Sequence, residues 1–163
     1  MSMVSDMKSV VTCITKLFIT TSVTLSLLTF TLGCGQDEDH EITFQQLFSN
    51  PDQYNGKEIT VDGFFFQGFE VQAIAKNLEY SGHAEGHLVL KGEMIWVKGG
   101  IPREVYDELY SQSMMGPEER YGKVRVTGMF EYGGKYGHLS AYDYQILPSK
   151  VELMEWSQKD LAH

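Results

Sequence analysis

Along several short stretches the chain alternates hydrophobic and polar residues with a period of two. From Lys57 onward, Ile59, Val61, Gly63 and Phe65 alternate with Glu58, Thr60, Asp62 and Phe64. This is the pattern of a strand with one buried face. Val71 to Ala75 predicts a second strand, with a bend or bulge at Gln67-Gly68 between the two. Residues 76–87 read as irregular, and Leu88–Leu90 and Met94–Val97 as further strand segments. Ser140, Tyr142, Tyr144 and Ile146 carry the alternation of a last strand, entered through a hairpin turn at Gly133-Gly134.

Two stretches switch to helical spacing. Thr43-Phe44-Gln45-Gln46 has the form of a capping box, and Phe44, Leu47 and Phe48 follow as one apolar stripe. Asn50-Pro51 ends that helix and Tyr54-Asn55-Gly56 makes a turn. A second helix is expected from about Pro102 to Met115, with Val105, Tyr106, Leu109 and Tyr110 on its buried face and Gly116-Pro117 as its stop.

An internal echo organises these elements. Gly122 to Phe130 (GKVRVTGMF) repeats the pattern of Gly56 to Phe65 (GKEITVDGFF), so that Gly63 aligns with Gly128 and Phe65 with Phe130. A glycine at a fixed place in a strand marks a tight bend, as where a small barrel closes. About five strands, a short leading helix and a helix between the third and fourth strands predict a mainly β fold: a small five-stranded OB-fold-like barrel. Its length of 163 residues suits one folded domain.

The N-terminus follows different rules. Residues 17–33 carry no charge, and Lys8 and Lys16 precede them. A basic region followed by an apolar run is a secretory signal, and a start at Met7 would give it the more typical form by removing Asp6. A membrane-spanning anchor fits less well. The run is at the lower length limit, seven of its residues are Ser or Thr, and the next charges are acidic. No Ala precedes Ala73, so an A-x-A cleavage site is absent. Instead Gly33-Cys34 resembles the bacterial lipobox, with Thr31 where Leu is usual. That resemblance implies cleavage between Gly33 and Cys34, lipid on Cys34 and an address in the cell envelope. With Gly35 after the Cys, it implies the outer membrane, facing the periplasm, where two membranes exist. Several acyl chains on one Cys would anchor the protein stably, where a single chain would not. The expected organisation is a signal over 1–33, a polar tether over 34–41, the barrel over 42–150 and a C-terminal tail over 151–163.

The domain itself resembles a group of uncharacterised bacterial OB-fold proteins, many of them lipoproteins. They share an N-P-x-x-Y-x-G-K turn into a V-x-V-x-G strand, a later I-W-V strand and a closing G-H-x-x-x-Y strand. The matching stretches are Asn50 to Gly63, Ile95 to Val97, Gly122 to Phe130 and Gly137 to Tyr142. The resemblance covers about 42–150 and brings no catalytic residues with it.

Charge and composition narrow the chemistry. The whole chain has a net charge of -9. Loss of the signal removes Lys8, Lys16 and Asp6 and leaves 11 basic against 21 acidic residues, a net charge of -10. Such a chain repels phosphate backbones, so no nucleic-acid partner is expected even though OB-folds often bind single strands. Cys13 and Cys34 are the only cysteines, so the folded part holds no disulfide framework or Cys-based zinc site. His83 and His87 stand four apart around Glu85, but Gly82 and Gly86 place them in a loop with no third ligand in view, so no metal and no cofactor are expected. His138 is expected to be buried and bonded to backbone. There is no G-x-S-x-G elbow, and Arg103, Arg120 and Arg125 are scattered. No enzyme activity is therefore expected.

If Ile59, Val61 and Phe65 point inward, Phe64 and Phe66 point outward, and by the echo Met129 and Glu131 join them as a candidate binding surface. The rival is that Phe64 and Phe66 pack beneath the 102–115 helix. The functional expectation is a lipid-tethered binding or assembly module for a protein, peptide or glycan in the envelope, with a protein partner favoured. The alternatives are an envelope hydrolase or metal-dependent enzyme with an unfamiliar site, and a single-stranded nucleic-acid binder.

Replacing Cys34 by Ser should yield uncleaved or soluble protein. Fractionation and intact mass decide: membrane-bound Cys34→Ser protein at the normal mature mass would remove the lipid assignment.

Overall fold

A computed structural model describes residues 41–114 and 116–161. The expected signal, Gly33, Cys34 and most of the expected tether lie outside the described residues. The chain enters the fold at Glu41, which bridges to Thr60, and Ile42 N–H donates to Thr60 O at 2.9 Å.

The short helix α1 (Phe44–Ser49) begins with the expected capping box. Thr43 Oγ1 accepts from the Gln46 N–H at 3.2 Å, and Gln46 Oε1 accepts from the Thr43 N–H at 2.9 Å. Phe44 and Leu47 are buried. Pro51 cannot extend this helix but suits the first position of the next, α2 (Pro51–Tyr54). Gly56, at φ +73°, turns the chain into the sheet.

The strands are β1 (Lys57–Gln67), β2 (Gln72–Tyr80), β3 (Leu88–Val97), β4 (Tyr110–Gln112), β5 (Glu119–Tyr136) and β6 (Tyr142–Leu153). Their order is β1-β2-β3-β6-β5-β4, and β1 also pairs with β5. That extra pairing closes a five-stranded barrel, with β4 appended to β5. Every neighbouring pair is antiparallel except β3 and β6, which run parallel through Trp96–Gln145 and Val97–Ile146. The fold is mainly β and OB-like.

The closing ladder runs from Lys57–Phe130 to Gln67–Arg120 without a register shift. Its inward residues Ile59, Val61, Phe65, Val124, Val126 and Phe130 are buried and join Ile74, Ile95, Val97 and Ile146 in the core. On the other face Asp62 and Arg125 form a bidentate pair at 2.6 and 2.7 Å, and the Thr60 and Thr127 hydroxyls meet at 2.8 Å.

The two aligned glycines sit at close approaches of backbone. A Cβ at Gly63 would lie 2.8 Å from Ala75 O, Ile74 Cγ1 and Phe44 Cε2. A Cβ at Gly128 would lie 2.3 Å from Leu147 O, at a shift of the β5–β6 register that leaves Ser149 unpaired between Pro148 and Lys150.

Several boundaries differ from the sequence reading. The 102–115 helix is only α3 (Arg103–Asp107). Tertiary contacts take the rest: Leu109 plugs against Gly122, Tyr110 stacks on Tyr121 at 5.8 Å, and the Gln112 side chain bonds both backbone groups of Leu88. Residues 76–80, read as irregular, continue β2. A bulge at Gly92-Glu93 breaks the alternation within β3, which is why its two halves, Leu88–Leu90 and Met94–Val97, read as separate segments. Gly133-Gly134 is not the hairpin turn. β5 passes through it with a shifted register, and the chain reverses at 137–141. Ser140 belongs to that reversal, not to the last strand. At the far end β6 runs to Leu153, with Val151 buried.

Val at Gly63 or Gly128 should destabilise the barrel by about 1 to 3 kcal/mol, the range for strained backbone and overpacking. Denaturant midpoints measure this, and unchanged midpoints in both variants would remove the closure argument.

Candidate functional site

The residues expected to form a binding surface do not lie together. Phe64 and Phe66 do face away from Phe65, but they are only 8% and 5% exposed. They form a second apolar cluster with Leu78, Leu88 and Tyr121. The cover is not the α3 helix but the C-terminal segment. Trp156 packs edge-on against Phe64 at 5.1 Å and Tyr121 at 6.0 Å, and Leu161 joins the cluster. Neither ring is available to stack on a ligand while this segment is in place. Met129 and Glu131 lie elsewhere. The β5 partner of Phe64 is Lys123, six residues before Met129, a separation of about 20 Å along the strand. Met129 is exposed, and Glu131 accepts a hydrogen bond from Gln145.

The histidines also separate. His83 is exposed on the loop between β2 and β3, whereas His87 is buried and bonded through both ring nitrogens to Ser81 and Glu119. Among the described residues no group of three or more His, Cys, Asp or Glu side chains gathers in a metal-holding arrangement. His138 is not buried: its side chain is 42% exposed and Nε2 lies 3.3 Å from Glu70 Oε1.

That His138–Glu70 contact locates a different site. It joins the β1–β2 loop (68–71) to the β5–β6 loop (137–141). These two loops present Phe69, 72% exposed, and Leu139, 85% exposed, the largest values among the exposed large hydrophobic residues. Their backbone is strained. Glu70 (φ 68°), Leu139 (φ 51°) and Ser140 (φ 61°) are the positive-φ non-glycine residues among the described residues, and all lie in these two loops. Such conformations each cost about 1 to 3 kcal/mol, persist where the surroundings enforce them, and concentrate at functional sites.

The surroundings that enforce them are visible. Gly68 N–H donates to Val71 O at 3.0 Å and closes the first loop, while Ala141 N–H donates to His138 O at 3.1 Å within the second. Gly137 (φ 67°) lies so close to Trp96 and Tyr142 that a Cβ would come within 2.7 Å of both rings. Those rings pack at 5.2 Å. Burial pushes the Tyr142 phenol above its usual range, so it stays neutral. The site therefore offers two apolar tips, a polar His138–Glu70 contact between them and an aromatic base. In OB-folds the face of the second and third strands and the two loops flanking it form the usual ligand surface. Phe69, Glu70 and Leu139 were not among the residues singled out from sequence. The available signal was a large apolar residue in a glycine-led turn, Gly68-Phe69 and Gly137-His138-Leu139.

Trp156→Ala should uncover Phe64, lower stability by about 2 kcal/mol and increase binding of a hydrophobic dye, because a partly exposed aromatic costs less than a core one to remove. Denaturant titration and dye fluorescence check it; wild-type values would mean that the C-terminal segment does not cover the cluster.

No protein-family model, no curated protein and no solved structure matches this chain.

Proposed function

We propose that the chain is a lipid-anchored protein of the cell envelope, tethered through Cys34, whose OB-like barrel docks a partner protein through the β1–β2 and β5–β6 loops. The observation that carries the reading is the pair Phe69 and Leu139, held in solvent on strained backbone and tied together by Glu70 and His138. Folding stability alone gives no reason to expose two large apolar side chains on loops that are costly to form.

The chemistry of the tips favours protein over glycan. A sugar stacks on aromatic faces, and Leu139 has none; an aliphatic tip fits an apolar pocket. The acidic chain, at -10 after loss of the signal, favours a partner that is neutral or basic where it meets the barrel. Nucleic acid is not the proposed ligand, because the net charge opposes phosphate, Phe64 packs against Trp156 and Phe66 is buried in the same cluster. The anchor and the address, at the outer membrane where there are two, rest on the charge-free run ending at Gly33-Cys34 and on Gly35 after it.

A photoreactive amino acid at position 69 or 139 of the lipidated protein should give discrete protein adducts in cells, whereas one at exposed Met129 should not. The Phe69→Ser, Leu139→Ser double variant should keep its stability within about 0.5 kcal/mol, as exposed positions do, yet fail to compete for the partner. Adducts that are absent, or identical at the Met129 control position, would overturn the docking reading.

A further inference from the structure

A second constellation lies at the reversal between β2 and β3. Ser81 Oγ is 2.9 Å from His87 Nδ1, and His87 Nε2 is 2.8 Å from Glu119 Oε2. Gln112 Nε2 donates to the same carboxylate oxygen at 2.9 Å. The Gln112 amide is itself fixed, donating to Leu88 O at 2.7 Å and accepting from Leu88 N–H at 3.0 Å.

Charge decides the proton positions. A carboxylate only accepts, so His87 Nε2–H donates to Glu119, and in the neutral ring Nδ1 is left to accept from the Ser81 hydroxyl. The His83 backbone N–H donates to Ser81 Oγ at 3.2 Å, which would steady negative charge building on that oxygen. His87 is only 6% exposed, while Ser81 is half-buried and reachable from solvent. The reversal is rigidly closed by Ser81 N–H to His87 O at 2.8 Å and His87 N–H to Ala84 O at 3.2 Å. Nucleophile, base and orienting acid thus stand in hydrogen-bonded sequence, the arrangement that activates a serine. The two ring nitrogens are used in the opposite sense from chymotrypsin-like enzymes, but the proton path is equivalent.

We propose that Ser81 is a nucleophile activated by His87 and that the site hydrolyses acyl esters. Ser81 Oγ forms a bond to the ester carbonyl carbon as its proton passes to His87 Nδ1. The ester C–O bond breaks, and the alcohol leaves with that proton. Water then attacks the acyl-Ser81 carbonyl, gives a proton to Nδ1, and the carboxylic acid leaves as Ser81 Oγ recovers that proton. Ester and water become acid and alcohol. Ser81 and His87 are the catalytic residues; Glu119 and Gln112 are positioning residues. Glu119 also packs at Gly68, where a Cβ would be 3.3 Å from Glu119 Cγ, so the relay adjoins the foot of the loop that bears Phe69. The proposal does not depend on a partner docking there.

The same bonds pin the loop, so the test reads reactivity and not stability. Purified lipidated protein in detergent is treated with an alkyl fluorophosphonate, which loses fluoride to an attacking hydroxyl, and digested for mass spectrometry. The expected result is one adduct on the peptide containing Ser81, absent in Ser81→Ala. Its rate should fall roughly 100-fold in Glu119→Gln, within the range lost when a general base is misdirected. Circular dichroism confirms that the variants are folded. An unlabelled wild type, an adduct on another residue such as Tyr80 or Ser113, or undiminished labelling of Ser81→Ala would each overturn the assignment. None of these results bears on adducts formed from positions 69 and 139.

Discussion

The β1–β5 ladder is the constraint on which the other features depend. A barrel of five strands closes only if its first and penultimate partners in the chain meet along their length, and here eleven residues of β1 pair with β5 in unbroken register. β5 must also pair with β6 on its other edge, so it bends sharply over 18 residues. Gly128 allows the bend by letting Leu147 O approach where a side chain would stand. Gly63 does the same where β1 leaves its pairing with β5 alone and takes on β2. The Asp62–Arg125 pair, with Glu41 added at 3.0 Å, fastens the outer face of the ladder and brings the incoming chain against it.

The β2–β3–β6 pairing determines where the loops go. Ala73 pairs with Trp96, Trp96 with Gln145, and Gly137 packs on the Trp96 ring, so 68–71 and 137–141 approach closely enough for Glu70 to reach His138. The packing of Gly137 on Trp96 and Tyr142 forces the second loop into positive φ, and Leu139 is carried outward as a result. Exposure of the two apolar tips is thus a consequence of tight packing beneath them rather than of a slack loop.

A second apolar cluster extends the barrel on one side. Phe64 and Phe66 would be an exposed aromatic pair on an isolated barrel, and the residues after β6 cover them. Tyr110 ties this cover to β4, since its hydroxyl donates to Trp156 O at 3.1 Å. Gln112, two residues on, links β4 to Leu88 and to the Glu119–His87–Ser81 chain. The short β4 strand therefore holds both the hydrophobic cover and the polar relay. That is why residues 110–112 leave the helix that local spacing favours.

The sequence alone determined the elements whose signals are local. Period-two alternation placed β1 and the core of β5, the Thr43–Gln46 box placed α1, and the echo around Gly63 and Gly128 indicated closure. It also showed which face of β1 carries Phe64 and Phe66, because alternation settles orientation. It did not show what covers them, since Trp156 is about 90 residues away and only folding makes the two neighbours. The exposed pair Phe69 and Leu139 and the relay Ser81, His87 and Glu119 were decided by tertiary structure for the same reason. Phe69 and Leu139 stand on two loops, and Glu119 reaches the Ser81–His87 reversal from a strand 32 residues beyond His87, so neither set is complete in any one stretch of the chain.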